Sequence, residues 1–439
     1  MEFLELSEKI VKVFDKIFSK KFKGDGIIWM VFFLLCIISI VEVYSASSVL
    51  TYKSGNYWSP MIKHAGLLLV GVFCMVVVMN VKCKYFKIVT PFMLGFSLFT
   101  LVWVLLAGHS TNGAQRWISL VGIQFQPSEI AKGAMILAVA QILSAMQTER
   151  GADKRAFKYI LIVCSVIVPL IMLENLSTAV LLCAVIVMMM FIGRVPLGQI
   201  GKLLGVVMLA GAFLIATIMI VGNEEEAKDP KLAMTEAAEA EVEKPGALDK
   251  LFHRADTWKS RINNFLNSKE VAPNEFDLDK DAQVAHANIA IASSNIVGKG
   301  PGNSVERDFL SQAFSDFIYA IIIEEMGIIG AIVVCLLYII LLFRTATIAN
   351  RCVNTFPALL IMGLALLLVT QAMFNMLVAV GLVPVTGQPL PLISKGGTST
   401  IINCIYMGAI LSVSYSARKK DELEPANTNG KTRLAVSKA

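Results

Sequence analysis

Charged residues are scarce in this chain. Asp, Glu, Lys and Arg make up 16% of its 439 residues, whereas about a quarter is usual for a soluble domain. The uncharged residues are gathered in long apolar runs, which excludes a soluble globular protein. Windows of about 20 apolar residues predict ten transmembrane helices. They lie near residues 26–46, 60–79, 88–107, 127–146, 158–173, 176–193, 203–221, 317–343, 356–380 and 400–416.

Histidine and cysteine are too few and too scattered to form metal or disulfide frameworks. The four histidines show no metal-ligand spacing. Six of the eight cysteines fall within predicted spans, and the other two, Cys83 and Cys352, fall in predicted cytoplasmic loops. We therefore expect no disulfide-stapled domain. The net charge of +6 comes from an uneven distribution of Lys and Arg, and we expect no nucleic acid partner.

Lysine and arginine concentrate on one side of the predicted bundle. Six lysines occur between residues 9 and 23, and further Lys and Arg follow the second, fourth, sixth, eighth and tenth spans. The short loops on the opposite side contain little more than Lys53, Lys63, Arg116 and Lys395. By the positive-inside rule both termini are cytoplasmic. The sequence thus predicts an all-α polytopic membrane protein with ten transmembrane helices and one large extracytoplasmic loop between spans seven and eight.

The predicted organisation has five parts. Residues 1–25 form a cytoplasmic basic amphipathic segment, which lies on the inner leaflet or packs on cytoplasmic loops. Residues 26–221 form helices one to seven, 316–416 form helices eight to ten, and 417–439 form a cytoplasmic tail. The extracytoplasmic loop, 222–315, combines an acidic linker with interfacial helices.

The extracytoplasmic loop changes character along its length. Residues 223–245 are acidic and poor in aromatic residues, which is typical of a solvated linker. An amphipathic stretch follows and places Trp258 at headgroup level. A helix of small residues then ends in a turn with Gly298, Gly300 and Gly302. Such a turn either lets backbone amides approach an anion or only stops the helix.

Carboxylates occur where a membrane span should be apolar. In "SDFIYAIIIEEMG", Asp316 lies just outside the eighth span, and Glu324 and Glu325 lie about 12–14 Å deeper. Charged groups within a span are costly and mark functional sites. We interpret the two glutamates as partners of buried polar groups in neighbouring helices. Asp316 lies at the water boundary, where both a structural and a catalytic role stay open.

Three further stretches carry polar groups. "GAQRWISLVGIQFQPSEIAKGA" places Glu129 and Lys132 on one helical face, as a brace between helices or as part of a site. Arg116 suits recognition of an anion at the outer leaflet. "GLVPVTGQPLPLISKGGTST" is too rich in Pro and Gly for a regular membrane helix, so it must be buried in protein or line a cavity. Gln371 and Asn375, one turn apart, suit interhelical hydrogen bonds.

Taken together these stretches resemble the SEDS (FtsW/RodA) family of membrane peptidoglycan polymerases. The resemblance rests on "GAQRWI" with "QPSEIAK", "AIASSNIVGKGPGNS", "LSQAFSDFIYAIIIEEMG" and "GLVPVTGQPLPLISKGGTS", in that order. The third motif is more similar to the division type than to the elongation type. The chain also departs from the family pattern, which commonly has Pro, Glu, His, Thr and Tyr at Ser311, Gln312, Phe314, Ser315 and Lys395.

The resemblance implies a peptidoglycan glycosyltransferase that polymerises lipid II at the outer face of the cytoplasmic membrane during cell division. Asp316 is then the catalytic base for a sugar hydroxyl. The candidate substrate-binding residues are Arg116, Glu129, Lys132, Gln283, Lys299 and Lys395. A divalent cation, Mg²⁺ or Mn²⁺, is a candidate cofactor for the leaving diphosphate.

The resemblance also implies partners, and two alternative functions stay open. A class B penicillin-binding protein transpeptidase and other division-machinery proteins are the expected partners, at the division septum. A lipid II flippase or a non-catalytic division scaffold would share the ten helices. Neither rival requires a base at the outer rim, so Asp316 discriminates between them and the enzyme.

Overall fold

The computed structural model describes residues 23–46, 58–107, 109–111, 114–120, 123–149, 151–221, 282–310 and 313–436. The predicted basic amphipathic segment before Lys23, the acidic linker and the amphipathic stretch around Trp258 lie outside the described residues.

Ten long helices follow the ten predicted spans within the described chain. They are α1 (Gly26–Ala46), α2 (Ser59–Met79), α3 (Cys83–Ala107), α4 (Pro127–Ala145), α5 (Lys154–Glu174), α6 (Leu176–Ile192), α7 (Leu197–Val221), α9 (Ile318–Arg351), α10 (Thr355–Ala379) and α11 (Thr398–Val436). The short helix α8 (Ala282–Ala292) confirms the small-residue helix before the glycine-rich turn. Helix α11 continues beyond the predicted end of the tenth span.

Eight of these helices are long and apolar enough to cross a bilayer. Helix α6 has only 17 residues, and the apolar part found in α7 is Leu197–Leu209. At about 1.5 Å per residue, 17 residues span about 26 Å, slightly less than a typical hydrocarbon core. A polytopic helical membrane protein is therefore confirmed, whereas the count of ten spans and their orientation stay predictions.

The helices divide into a buried centre and an outer ring. Helices α1, α4, α10 and α11 are mostly buried, whereas α2, α3 and α5 are mostly exposed. The exposed positions of the outer ring include large apolar side chains such as Phe73, Phe92 and Phe99. Such a surface suits lipid, whereas the central helices carry buried polar residues such as Glu42, Lys132 and Gln371.

Two small sheets interrupt the helical pattern. Strands β1 (His109–Thr111), β2 (Ala114–Leu120) and β3 (Ile123–Phe125) form an antiparallel meander between α3 and α4. Strands β4 (Gln147–Thr148) and β5 (Gly151–Ala152) form a hairpin between α4 and α5. The all-α prediction missed both sheets. One signal for the first was present, because Asn112-Gly113 between β1 and β2 is a frequent hairpin turn pair.

Helix α9 is broken at Gly327, where φ is 68° and ψ is −170°. The glycine-rich loop (residues 296–304) contacts the helix at this break. The amides of Lys299 and Gly300 donate to the carbonyls of Glu324 and Glu325 at 2.9 and 2.8 Å. Gly298 is required here, because a Cβ on it would lie 2.3 Å from the carbonyl oxygen of Glu325. The predicted span 317–343 therefore corresponds to α9, but the helix is broken within it.

Candidate active site

Asp316 lies two residues before α9, and its side chain is partly buried. The hydroxyl of Ser315 donates a hydrogen bond to Asp316 Oδ1 at 2.9 Å. The side-chain amide of Asn375 donates to the backbone carbonyl of Asp316 at 2.8 Å. On the other side, a Cβ on Gly387 would lie 3.4 Å from Asp316 Oδ2. The carboxylate is thus held against a backbone that carries no side chain at this point.

That backbone belongs to the connection between α10 and α11, residues 380–397, which we call the Pro/Gly connection. Its irregular carbonyls need donors from elsewhere, since there is no helix to supply them. Asn375 donates to the carbonyl of Gln388 at 2.7 Å, and Gln371 donates to the carbonyl of Pro389 at 3.1 Å. Gln371 also accepts from Lys132 of α4, as predicted for an interhelical hydrogen bond, whereas Asn375 bonds backbone outside the helices.

Side chains from other helices support the same connection. The hydroxyl of Ser39 donates to the carbonyl of Ile393 at 2.7 Å, and Tyr338 donates to the carbonyl of Pro391. The side-chain amide of Gln388 donates to Thr178 Oγ1 at 2.7 Å. Much of the connection is buried, as expected for an irregular segment at membrane depth.

The Pro/Gly connection also fixes the backbone that leads into Asp316. Ser394 Oγ donates to the carbonyl of Ser315 at 2.6 Å and accepts from the amide of Leu390 at 2.7 Å. The amide of Lys395 donates to the carbonyl of Phe314 at 2.9 Å. Three successive carbonyls, those of Phe314, Ser315 and Asp316, are therefore held by other segments. This positioning role of Ser394 and Asn375 was not predicted. In the sequence it was indicated only by the location of Ser394 within the Pro- and Gly-rich motif and of Asn375 shortly before that motif.

Lys395 is half-buried, and its Nζ lies 4.9 Å from the ring centre of Phe314. This distance suits a cation–π contact. Burial lowers the pKa of Lys395, and the neighbouring charge of Lys63 lowers the pKa further. In the part of the chain that the structure describes, no ion pair balances the ammonium of Lys395. A bound anion would supply the missing countercharge.

If Lys395 contributes to the lipid II binding that the family resemblance implies, we predict that this binding has a characteristic pH dependence. The lowered pKa means that the ammonium loses its proton at lower pH than an ordinary lysine. Affinity for lipid II should thus be full below this pKa and fall as pH rises through it. Lys395→Arg should abolish this fall, since arginine keeps its charge.

The matched control for this prediction is Lys63→Gln. Removing the repelling charge should move the fall in affinity to higher pH without removing Lys395 itself. A binding titration of lipid II against pH measures all three proteins. Identical pH profiles for wild type and Lys395→Arg would contradict a role for Lys395 in binding.

Glu129 and Lys132 form the predicted ion pair. Lys132 Nζ lies 2.8 Å from Glu129 Oε1, and the side chains are 1% and 3% exposed. The ammonium also donates to Gln371 Oε1 at 2.8 Å. Because Gln371 in turn donates to Pro389, the pair is joined to the Pro/Gly connection by one intervening side chain. The substrate-binding role of the two residues stays a prediction.

Glu324 and Glu325 both hold the glycine-rich loop, and both are fully buried. Lys299 Nζ lies 2.6 Å from Glu324 Oε1, and Glu324 also accepts from the hydroxyl of Ser304. Glu325 accepts from the amide of Gly302 at 3.0 Å and from the hydroxyl of Ser45 in α1. The loop amides do approach an anion, as its glycines suggested, but this anion is the protein's own carboxylate.

Three of the predicted substrate-binding residues remain to be placed. Lys299 lies in the cluster just described, with its Nζ also 2.9 Å from Ser293 Oγ. Gln283 is partly buried near the start of α8. Arg116 lies on β2, and its side chain is outside the described part of the structure. The structure thus brings the backbone of Lys395 next to Phe314, two residues before Asp316. Lys299 belongs to a separate polar cluster.

The described residues do not offer a ready site for a metal ion. Among them, no three His, Cys, Asp or Glu side chains cluster closely enough to hold one. The described side chains alone therefore do not form a site that would hold the predicted divalent cation.

These features define a multi-pass membrane protein with a polar site, centred on a carboxylate, at one end of its helical bundle. The chain belongs to the SEDS family: the family model FTSW_RODA_SPOVE, described as cell cycle protein, matches residues 25–419.

Similar proteins carry the name of the division type. The probable peptidoglycan glycosyltransferase FtsW of Geobacter sp. (strain M18) is 31% identical over 399 residues, which cover 90% of this chain and 97% of the relative. The probable peptidoglycan glycosyltransferase FtsW of Halomonas elongata is 27% identical over 419 residues, which cover 94% and 95%.

Solved structures show the same fold. A chain from a peptidoglycan synthase complex has a TM-score of 0.61 and 22% identity, with 89% of this chain and 98% of that chain covered. Rod shape determining protein RodA of Thermus thermophilus has a TM-score of 0.58 and 22% identity, with 90% and 98% covered.

Proposed function

We propose that this protein is a peptidoglycan glycosyltransferase of the FtsW type, which polymerises lipid II into glycan strands during cell division. The observation that carries the proposal is the positioning of Asp316. Its backbone and that of the two preceding residues are held by Asn375, Ser394 and Lys395. Such fixed geometry suits a reacting group, because catalysis requires a base within hydrogen-bond reach of its substrate.

In the proposed reaction, Asp316 accepts the proton of the 4-hydroxyl of one lipid II sugar. The hydroxyl oxygen attacks the anomeric carbon of a second sugar chain, and the bond to the lipid diphosphate breaks. Ser315 donates to Asp316 Oδ1 and so orients the carboxylate. Positive charge is needed where the diphosphate leaves. Lys395 is the best-placed candidate, because its backbone is bonded to Phe314, two residues before Asp316.

The other predicted ligands take less direct parts in this proposal. Lys132 and Glu129 reach the Pro/Gly connection through Gln371 and would shape the wall of the substrate cavity. Arg116, Gln283 and Lys299 are proposed ligands of the lipid headgroup. We assign no step to a divalent cation.

The proposed membrane arrangement has ten spans, cytoplasmic termini and Asp316 facing outward. The strong excess of Lys and Arg in alternate loops supports it. We further propose that the protein acts at the septum beside a class B penicillin-binding protein transpeptidase. Support comes from a similar chain in a peptidoglycan synthase complex that coordinates polymerization and crosslinking.

The test of the proposed function is polymerisation of purified lipid II by the purified protein in proteoliposomes, with and without the transpeptidase. Glycan strands should form, and their length is measured by gel electrophoresis. Transfer of labelled lipid II between leaflets without polymer would favour the flippase. Neither transfer nor polymer, with the transpeptidase bound, would favour the scaffold.

We predict that the acidic linker, Asn223 to Pro245, is dispensable for polymerisation. Its composition suits a solvated chain that contributes no catalytic group. Replacing it with a Gly/Ser linker of equal length should leave the rate within a few-fold of wild type. The same assay with a shortened linker controls for the span between its ends. A collapse of activity in the equal-length variant would show that the acidic residues themselves are needed.

A further inference from the structure

A mixed polar and apolar pocket lies at the end of the bundle away from Asp316. Helix α9 begins beside Asp316 and ends at Arg351, and the pocket lies against its last turns. The cavity has a volume of about 400 Å³. Its lining includes Gln147, Arg194, Asn350, Thr355, Leu359 and Met362. The proposed polymerisation uses none of these residues.

Arg194 occupies a backbone position that ordinarily favours glycine. Its φ is 58°, and it follows the end of α6. The amide of Val195 donates to the carbonyl of Met190, and the amide of Arg194 donates to that of Phe191, both at 3.0 Å. This pattern is a Schellman motif with Arg194 at the left-handed position. An arginine at this position is strained, and strained residues cluster at functional sites.

The strained turn is fixed against the β4–β5 hairpin. The amide of Ala152 donates to the carbonyl of Arg194 at 3.2 Å. Gly151 makes the contact close, because a Cβ on it would lie 2.6 Å from that carbonyl oxygen. Gln147 belongs to this hairpin, on β4. The backbone contacts between the hairpin and the turn therefore hold Gln147 and Arg194 together at the pocket.

The lining suits an anion that carries both a hydroxyl group and an apolar tail. No acidic side chain is among the lining residues, and within the described chain the guanidinium of Arg194 has no ion pair. Thr355 and Asn350 add neutral donors. Gln147 also lines the pocket, and its Oε1 is buried without a hydrogen-bond partner among the described residues, so a rotation of the side-chain amide that exposes this oxygen would let it accept from a hydroxyl. Leu359 and Met362 supply an apolar wall.

The position of the pocket along α10 suits a phospholipid headgroup and the start of its acyl chain. Thr355 begins α10, and Met362 lies about 10 Å further along it. The pocket thus extends from the helix ends, where the headgroups lie, to the start of the hydrocarbon region. This end of the bundle carries the Lys- and Arg-rich loops and is therefore the predicted cytoplasmic side. Basic pockets between helices on that side are suited to anionic lipid headgroups.

We propose that this pocket binds an anionic glycerophospholipid of the inner leaflet, such as phosphatidylglycerol. The guanidinium of Arg194 binds the phosphodiester, Gln147 accepts from a headgroup hydroxyl, and an acyl chain lies along Leu359 and Met362. Soluble phosphate esters share the headgroup chemistry but lack the acyl chain, so affinity should require both parts.

The test is native mass spectrometry of the full-length protein in neutral detergent, titrated with phosphatidylglycerol, phosphatidylcholine or glycerol phosphate. Wild type should retain phosphatidylglycerol in preference to the other two. Arg194→Gly should reduce this retention by about tenfold or more, the effect of losing a charged hydrogen bond. Because glycine favours the left-handed turn, this variant should melt no lower than wild type.

Three further variants complete the test. Arg194→Lys keeps the charge and should retain more phosphatidylglycerol than Arg194→Gly. Lys202→Gln removes an exposed charge from α7, outside the pocket lining, and should match wild type. Gln147→Leu leaves the strained turn intact and should also weaken retention. Wild-type retention in both Arg194→Gly and Gln147→Leu would overturn the proposal, as would equal retention of phosphatidylcholine. Binding of glycerol phosphate as strong as that of the lipid would assign the pocket to a soluble anion instead.

Discussion

Asp316→Asn should abolish glycan synthesis while leaving the protein folded and able to bind lipid II. Asparagine has nearly the same shape, so Ser315 can still donate to its side-chain oxygen and Asn375 to its backbone carbonyl. What is lost is the ability to accept a proton from the sugar hydroxyl. Loss of a general base typically lowers the rate by about 10²–10⁴-fold.

The measurement compares polymerisation rate, lipid II affinity and melting temperature for the variant and wild type. Asp308→Asn is the matched control, because Asp308 is an exposed carboxylate eight residues earlier in the chain. This control should polymerise at the wild-type rate. Wild-type activity in Asp316→Asn would exclude Asp316 as the base and would mean that another group accepts the proton of the sugar hydroxyl.

Removing one partner of the Glu129–Lys132 pair should be strongly destabilising. Lys132→Met leaves a carboxylate at a site 3% exposed, with Glu129 Oε2 lacking a hydrogen-bond partner among the described residues. Glu129→Gln leaves a buried ammonium whose hydrogen-bond partners among the described residues are the neutral Gln371 oxygen and the new amide. Breaking a buried pair in this way costs about 3–5 kcal/mol, whereas removing both charges can be nearly neutral.

A double-mutant cycle separates the two contributions. Melting temperature should fall further in each single variant than in Glu129→Gln/Lys132→Met. Lys158→Met, at an exposed position on α5, is the control and should change the free energy of unfolding by less than about 0.5 kcal/mol. Additive losses would mean that the two charges are not coupled.

The same cycle, scored by polymerisation, tests the proposed place of the pair in the substrate cavity. If the pair contributes to lipid II binding, the stable double variant should bind lipid II more weakly than wild type. Full activity in that variant would reduce the pair to a brace between α4 and α10.

Local patterns in the sequence predicted much of the helical framework. The long apolar runs place all ten helices, although α9 and α11 extend well beyond their predicted ends, because burial in lipid demands an almost uncharged stretch of fixed length. The Glu129–Lys132 contact was also predictable, since residues three apart lie on one helical face. Both inferences depend only on neighbours along the chain.

Partners far apart in the sequence were beyond such reasoning. Lys132 meets Gln371 across 239 positions, and no periodicity relates the two residues. The partners of Glu324 and Glu325 depend on the break at Gly327, where a loop backbone contacts the helix. The break is apparent only from the φ and ψ of Gly327 in the folded structure. The Asn-Gly pair did indicate a hairpin before α4, but the surrounding membrane pattern hid it.

The break at Gly327 gives the first part of α9 the mechanics of a short rigid arm. Asp316 lies at one end of this arm and Gly327 at the other, and at about 1.5 Å of rise per residue they are about 16 Å apart. Tilting such an arm by about 5° would displace its tip by about 1.4 Å, and a misplacement of about 1 Å can cost 10²-fold in rate. Glu324 and Glu325 bind the glycine-rich loop next to the break, while Asn375 and Ser394 hydrogen-bond the backbone of Asp316 and Ser315. Small angular play in the glycine-rich loop is therefore magnified at the proposed catalytic carboxylate.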